Sequence, residues 1–176
     1  PKATGTVLKN PALAALYKRI AHEGPDALYK GAVAQEIVAK VQGHSNPGSL
    51  SLSDLSGYQA KERAPLCTDY KRWQVCGMPP PSSGGIAVAQ ILGTLQALET
   101  RDQRLALAPM KPVKTDFPAG IEPTPQAVHL IAEAERLAYA DRAQYLADSD
   151  FVPVPVKGLL DPAYLVSRAA LIGERS

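Results

Sequence analysis

Two cysteines, one tryptophan and two methionines are all that the 176 residues hold of those types, and aromatics make up only 6%. So few cysteines exclude a small disulfide-built scaffold and the paired C-x-x-C ligands of a structural zinc site. Neither sign of charge dominates: 19 basic side chains stand against 17 acidic ones, for a net charge of +2. A nucleic-acid binder usually carries a basic stripe set with aromatics; none is visible, so no nucleic-acid partner is expected. No apolar run approaches the roughly 20 residues of a membrane span. With three histidines and no H-x-x-x-H spacing, neither a metal cluster nor a metal cofactor is expected.

What is present is globular: 45% hydrophobic and 20% charged residues, enough chain for one cored domain or a large piece of a bigger one. The opening "PKATGTVLKN" lacks a basic start, apolar core and small-residue cleavage site, and it begins on Pro rather than Met. A trimmed chain or an internal piece of a longer polypeptide is the expectation.

Sixteen prolines punctuate the chain. Pro11, Pro25, Pro125 and Pro162 stand where proline opens a helix, while Pro79, Pro80, Pro81, Pro153 and Pro155 fall in extended connections. Asn10 before Pro11 is a cap signal, Leu13, Leu16, Tyr17 and Ile20 share one face, and Gly24 is a stop, which predicts a helix over 11–23. After the turn "PDALYKG", Val33, Ile37, Val38 and Val41 predict a helix over 32–42. "SLSD" fits a capping box, Ser51 capping and Asp54 reaching back.

From Tyr58 the period changes to that of strands, predicted at 58–63, 66–70 and 73–78, the last two joined as a hairpin turning at Lys71-Arg72. A helix over 83–98 follows. Residues 99–123 show no clear period and hold four prolines; so long an aperiodic stretch crosses a surface or docks on something outside the chain. Thr124-Pro125 restarts a helix over 125–147 through Val128, Ile131, Leu137 and Tyr145. "DSDFVPVPVKGLL" reads as an extended link, and Asp161-Pro162 opens a last helix over 162–173 with Tyr164, Leu165, Ala169 and Ile172. The fold class is α+β, α-rich, with one small antiparallel element around 58–78.

The segment "MPPPSSGGIAVAQIL" at 78–92 invites a chemical reading. It does not match the G-x-S-x-G elbow of a hydrolase, and no lysine follows its glycines as a P-loop requires. What remains is a helix start with Ser82 or Ser83 as cap. The structural reading has the serines capping while the glycines admit a neighbouring backbone. The functional one has Ser82, Ser83, Gly84 and Gly85 contacting an anion or substrate through free N–H groups. His22 falls in a helix's last turn, His44 in a Gly/Ser/Asn loop and His129 near a helix start, three unrelated settings. "DSD" at 148–150 lacks the rest of an EF-hand loop. Asp141 and Arg142, a turn beyond Arg136, read as a pair tying the long helix to a neighbouring loop.

The cysteines say more. With Lys71 and Arg72 as turn residues, Cys67 faces Cys76 in a non-hydrogen-bonded pair, where Cα atoms approach to about 4.5 Å. That separation admits a disulfide and an oxidising compartment. A turn one residue longer breaks the register and leaves two thiols. Taken alone, these residues complete no catalytic constellation.

Three stretches nonetheless carry a family likeness: "LKNPALAALYKRIAHEGPDALYKGAVAQEIV", "LSLSDLSGYQAKERAPLCTDYKRWQVCGMPPPSSGGIAVAQIL" and "HLIAEAERLAYADRAQYLADSDFVPVPVKGLLDPAYL". In this order they resemble the gamma-glutamyltranspeptidase family, in the part that ends the large subunit. The resemblance implies a fragment of an N-terminal-nucleophile hydrolase αββα fold, with 1–176 a single segment of that subunit. It implies a precursor that cuts itself in two and a threonine nucleophile at the small subunit's first residue, its own α-amino group serving as base. That threonine attacks the γ-glutamyl amide of glutathione or a related compound; water or an amine then takes the glutamyl group, with backbone N–H donors on the oxyanion.

The family's Thr-Thr-His stretch does not occur here, its substrate-carboxylate arginine belongs before Pro1, and its substrate-contacting serine pair belongs to the small subunit. No catalytic residue therefore carries over to this chain, and Ser82-Ser83 are not that pair. The implied partners are the rest of the large subunit, the small subunit of the same precursor, and glutathione or another γ-glutamyl compound. No cofactor is implied, and the implied location is periplasmic or secreted. Two other readings stand: a cephalosporin or poly-γ-glutamate acylase on the same fold, and a self-sufficient, non-catalytic interaction domain.

Overall fold

The computed structural model describes residues 2–102, 111–113 and 120–174. The chain divides into two compact units, 1–61 and 62–176.

The first unit is helical. Helix α1 (Pro11–Glu23) starts where Asn10 Oδ1 accepts from the Leu13 N–H at 3.0 Å, and ends at Gly24, whose φ of 74° suits glycine. A four-residue helix α2 (Asp26–Tyr29) forms where the sequence suggests only a turn, and α3 (Gly31–Gln42) follows. Ala27, Ala34 and Val38 are the buried apolar side chains of this unit. In α4 (Leu52–Ser56) the capping box is complete: Asp54 N–H donates to Ser51 Oγ at 3.2 Å, and Ser51 N–H donates to Asp54 Oδ2 at 2.8 Å. The Ser51 hydroxyl, donating to Asp54 Oδ2 at 2.7 Å, and after it the Ser51 N–H hold the Asp54 carboxyl below its ordinary range.

In the second unit, strands β1 (Leu66–Tyr70) and β2 (Trp73–Gly77) pair antiparallel in the register Cys67↔Cys76, Thr68↔Val75, Asp69↔Gln74 and Tyr70↔Trp73. The turn is Lys71-Arg72, with Lys71 at φ 54° and its Nζ 3.0 Å from Glu99 Oε1 on the next helix. The strand predicted at 58–63 does not form. Those residues join no ladder and carry the boundary between the two units, so extended backbone there has no partner strand.

Helix α5 (Gly84–Arg101) is the centre of the unit, packing against the hairpin, α6 (Pro125–Tyr145) and α8 (Pro162–Ala169). Leu95 and Leu98 of α5, Leu130 and Ala134 of α6, and Ala169 and Ile172 form one core. Each large side chain sequestered there contributes about 1.5–3 kcal/mol. Gly93 lets Leu165 of α8 close onto α5: a Cβ at Gly93 would lie 2.5 Å from Leu165 Cδ1. A single turn, α7 (Val156–Leu159), interrupts the expected extended link.

Helix α8 ends four residues before the predicted 173. After Ala169 the backbone bonds tighten to three-residue spacing, Leu171 N–H to Arg168 C=O and Ile172 N–H to Ala169 C=O, which closes the helix. Within 99–123, α5 takes 99–101, and β3 (Lys111–Val113) pairs antiparallel with β4 (Gly120–Glu122). The expectation of a surface-crossing or docking loop otherwise falls on 103–110 and 114–119, outside the described residues. Among the described residues no helix is long and apolar enough to cross a membrane.

Candidate functional site

The four candidate contact residues gather at the start of α5, where their bonds are local. Ser83 occupies the cap position in helical geometry, φ −84° and ψ −14°, and its hydroxyl makes no capping bond. It accepts instead from Arg142 Nε on α6 at 2.9 Å. Ser82 Oγ accepts from the Gly84 N–H at 3.4 Å, and the Gly85 N–H donates to the Met78 carbonyl at 3.2 Å. Glycine is required by proximity: a Cβ at Gly77 would lie 2.8 Å from Gly85 Cα, and one at Gly85 would run into the Met78 carbonyl. A guanidinium is a donor that cannot take a proton, so Arg142 does not activate Ser83 as a nucleophile. A cavity of about 300 Å³ opens beside this junction, lined by Val75, Cys76, Met78, Val88 and Ala89 with Ser82.

The densest polar arrangement lies deeper. Asp141 on α6 is buried, and its Oδ2 accepts from Gln90 Nε2 on α5 at 2.8 Å and from the Tyr164 hydroxyl on α8 at 2.9 Å. Its Oδ1 pairs with Arg168 Nη2 at 3.1 Å, and Arg168 also donates to the Leu137 carbonyl at 3.1 Å. One carboxylate thus joins three helices. Burial, and after it the bond to Asp141, holds the Tyr164 phenol above its ordinary value. Gln90 Oε1 and Arg168 Nε are buried without a hydrogen-bond partner among the described residues.

The sequence suggests that Asp141 and Arg142 tie the long helix to a neighbouring loop. In the structure Arg142 reaches Ser83, just before α5, while Asp141 turns to Arg168 and the neighbouring helices. No motif in the sequence marks Gln90, Tyr164 and Arg168 as site residues. The local signal is Gln90, the one amide within the apolar stretch "GGIAVAQIL".

The remaining candidates stay apart. His22 sits in the last turn of α1, His44 Nδ1 accepts from the Asn46 N–H at 3.1 Å, and His129 Nε2 donates to the Gly173 carbonyl at 2.9 Å. In the 148–150 triplet, Asp148 Oδ1 accepts from the Asp150 N–H at 2.9 Å, and Asp150 pairs with Arg63 at 2.6 Å. No group of three or more potential metal ligands occurs among the described residues. Cys67 and Cys76 are joined in a disulfide, their Cα atoms 4.0 Å apart.

A family model described as gamma-glutamyltranspeptidase matches residues 1–176. The glutathione hydrolase proenzyme of Escherichia coli strain K12 is 39% identical over 169 residues, covering 96% of this chain and 26% of that protein. The acylase ACY 1 proenzyme of Pseudomonas sp. strain V22 is 37% identical over 172 residues, 98% of this chain and 27% of that protein. Among solved structures, a gamma-glutamyltranspeptidase from Pseudomonas nitroreducens complexed with L-DON superposes with a TM-score of 0.69 at 36% identity, covering 96% of this chain and 45% of that one. The chain spans about a quarter of the length of the curated relatives it matches.

Proposed function

This chain belongs to the gamma-glutamyltranspeptidase family, and from that premise we propose that it is a scaffold segment of the large subunit of an enzyme that cleaves γ-glutamyl amides. Its fold is the helix-rich portion of an N-terminal-nucleophile hydrolase with a small antiparallel hairpin. The parent enzyme takes the glutamyl group from a donor such as glutathione and passes it to water or an amine. Its nucleophile, the first residue of the small subunit released by self-cleavage, lies outside these residues. The rest of the large subunit and the small subunit are this segment's partners. An oxidising location, periplasmic or secreted, belongs to the same reading and is supported by the exposed Cys67–Cys76 bridge.

The observation that carries the scaffold role is the use made of the polar side chains. Asp141, a buried carboxylate of α6, spends its acceptors on Gln90, Tyr164 and Arg168, which ties α5, α6 and α8 together. The Ser-Ser-Gly-Gly start of α5 serves backbone proximity and an Arg142 tie. Proenzyme relatives support processing of the parent. An assay on a chromogenic γ-glutamyl anilide tests the reading: the processed full-length parent turns it over and the 176-residue chain does not. Turnover by the chain alone refutes the scaffold role, and an inert processed parent refutes the γ-glutamyl specificity. A second reading, an acylase on the same fold, is favoured by the acylase relative. It predicts a parent that deacylates a cephalosporin side chain and leaves the anilide untouched.

A further inference from the structure

In the β1–β2 hairpin, Tyr70↔Trp73 closes a two-residue turn, so Tyr70↔Trp73, Thr68↔Val75 and Leu66↔Gly77 are the hydrogen-bonded pairs. The backbone N–H and C=O groups of Cys67 and Asp69 therefore point away from β2, along the other edge of β1. Among the described residues no hydrogen bond reaches them. The Cys67–Cys76 bridge pins this register, so the edge is set in advance. Beside it runs a mostly apolar groove of about 460 Å³. Thr68 and Asp69 line it from β1, Gly93 and Ala97 from α5, and Leu165 and Val166 from α8. Thr68 is half-buried toward α5, whereas the Asp69 side chain alternates to the exposed face, which leaves the Asp69 backbone to border the groove.

We propose that β1 is the acceptor edge for a third strand: an extended segment of the parent polypeptide, outside residues 1–176, pairs with Cys67 and Asp69 and lies in this groove. The inference rests on the reading of the chain as one segment of a longer enzyme. Two N–H and two C=O groups on β1 offer the incoming strand four backbone bonds. Its side chains alternate, apolar ones entering the groove and polar ones joining the exposed face of Cys67 and Asp69. A basic or hydroxyl side chain opposite Asp69 suits that exposed carboxylate. Pro65, which has no N–H to give, stands at the next outward position and ends the usable edge there. The chain spans about a quarter of its curated relatives. The covalently joined remainder therefore meets this edge at a higher effective concentration than a second copy of the chain does.

The test uses the native full-length parent. Residue-resolved amide hydrogen exchange is expected to find the Cys67 and Asp69 N–H groups exchanging about a hundredfold slower than open amides. The photo-crosslinker p-benzoylphenylalanine, placed at Val166 on the groove, is expected to join a parent peptide from outside 1–176. Exchange at the open rate, a crosslink confined to residues 1–176, or a crosslink to a second copy overturns the proposal. The exchange measurement needs no variant, so a misfolded crosslinker variant leaves it decisive. Neither readout involves turnover. A parent inert on the γ-glutamyl anilide therefore leaves the third strand in place, and an active parent with an open β1 edge removes the strand alone.

Discussion

Replacing Asp141 by alanine removes one side chain and strands three others. Arg168 loses the carboxylate it pairs with while its side chain is 20% exposed, and Tyr164 and Gln90 lose an acceptor at 2.9 and 2.8 Å. Breaking one side of a buried ion pair costs about 3–5 kcal/mol, and each buried donor left unmet about 1–3 kcal/mol. The terms overlap in one network. The partial exposure of Arg168 and its bond to the Leu137 carbonyl also relieve some of the penalty. The expected loss for Asp141→Ala is therefore about 4 kcal/mol, a large share of an ordinary domain's stability. Asp141→Asn keeps the shape and one acceptor and is expected to lose about 2 kcal/mol. Arg142→Ala, which removes one exposed bond to Ser83, is expected to lose less than about 1 kcal/mol. Urea unfolding reads this directly, because the single tryptophan, Trp73, reports on the second unit while far-UV circular dichroism follows both. A double-mutant cycle with Arg168→Ala is expected to show a coupling of about 2 kcal/mol. If Asp141→Ala costs no more than Arg142→Ala, the three-helix tie is not what holds the second unit together.

Gly85→Ala is expected to lose about 1–3 kcal/mol in the same assay, since the new methyl meets the unyielding Met78 carbonyl. Gly93→Ala meets only the movable end of Leu165 and regains helix propensity, so it is expected to stay within about 1 kcal/mol of the wild type; equal losses at both sites contradict this. Tyr164 has its folded-state pKa raised above the ordinary 10.0, so the unfolded chain gives up that proton first and stability falls as pH rises beyond about 10. Tyr164→Phe is expected to flatten that alkaline decline, and an unchanged slope counts against the assignment. Removing both cysteines, nine residues apart, is expected to cost about 2–3 kcal/mol in thermal unfolding through release of a short loop. A shift within error would mean that the hairpin is held by α5 alone.

The boundaries of α1 are legible because both ends are marked locally, Asn10-Pro11 at one and Gly24 at the other. The hairpin register follows from the position of a two-residue turn, and one spacing then decides every pair from Tyr70↔Trp73 to Cys67↔Cys76. Strand 58–63 fails for the converse reason: an extended pattern predicts a strand only where another strand lies beside it, and its sequence says nothing of that. The three-helix tie is beyond local reading as well. Gln90 and Asp141 are 51 residues apart and Tyr164 another 23, so no spacing rule brings them together. At the start of α5, the sequence suggests either capping or close approach. The structure divides these roles: the glycines serve the approach, Ser82 makes a local bond, and Ser83 answers to Arg142.

Covalent trapping asks whether the nucleophile lies outside these 176 residues. The 176-residue chain and the processed full-length parent are each incubated with a γ-glutamyl acylating inhibitor, and the intact masses are compared. One equivalent of label is expected on the parent, mapped to the small subunit's first threonine, and none on the chain. Stoichiometric label on any residue of the isolated chain would contradict it.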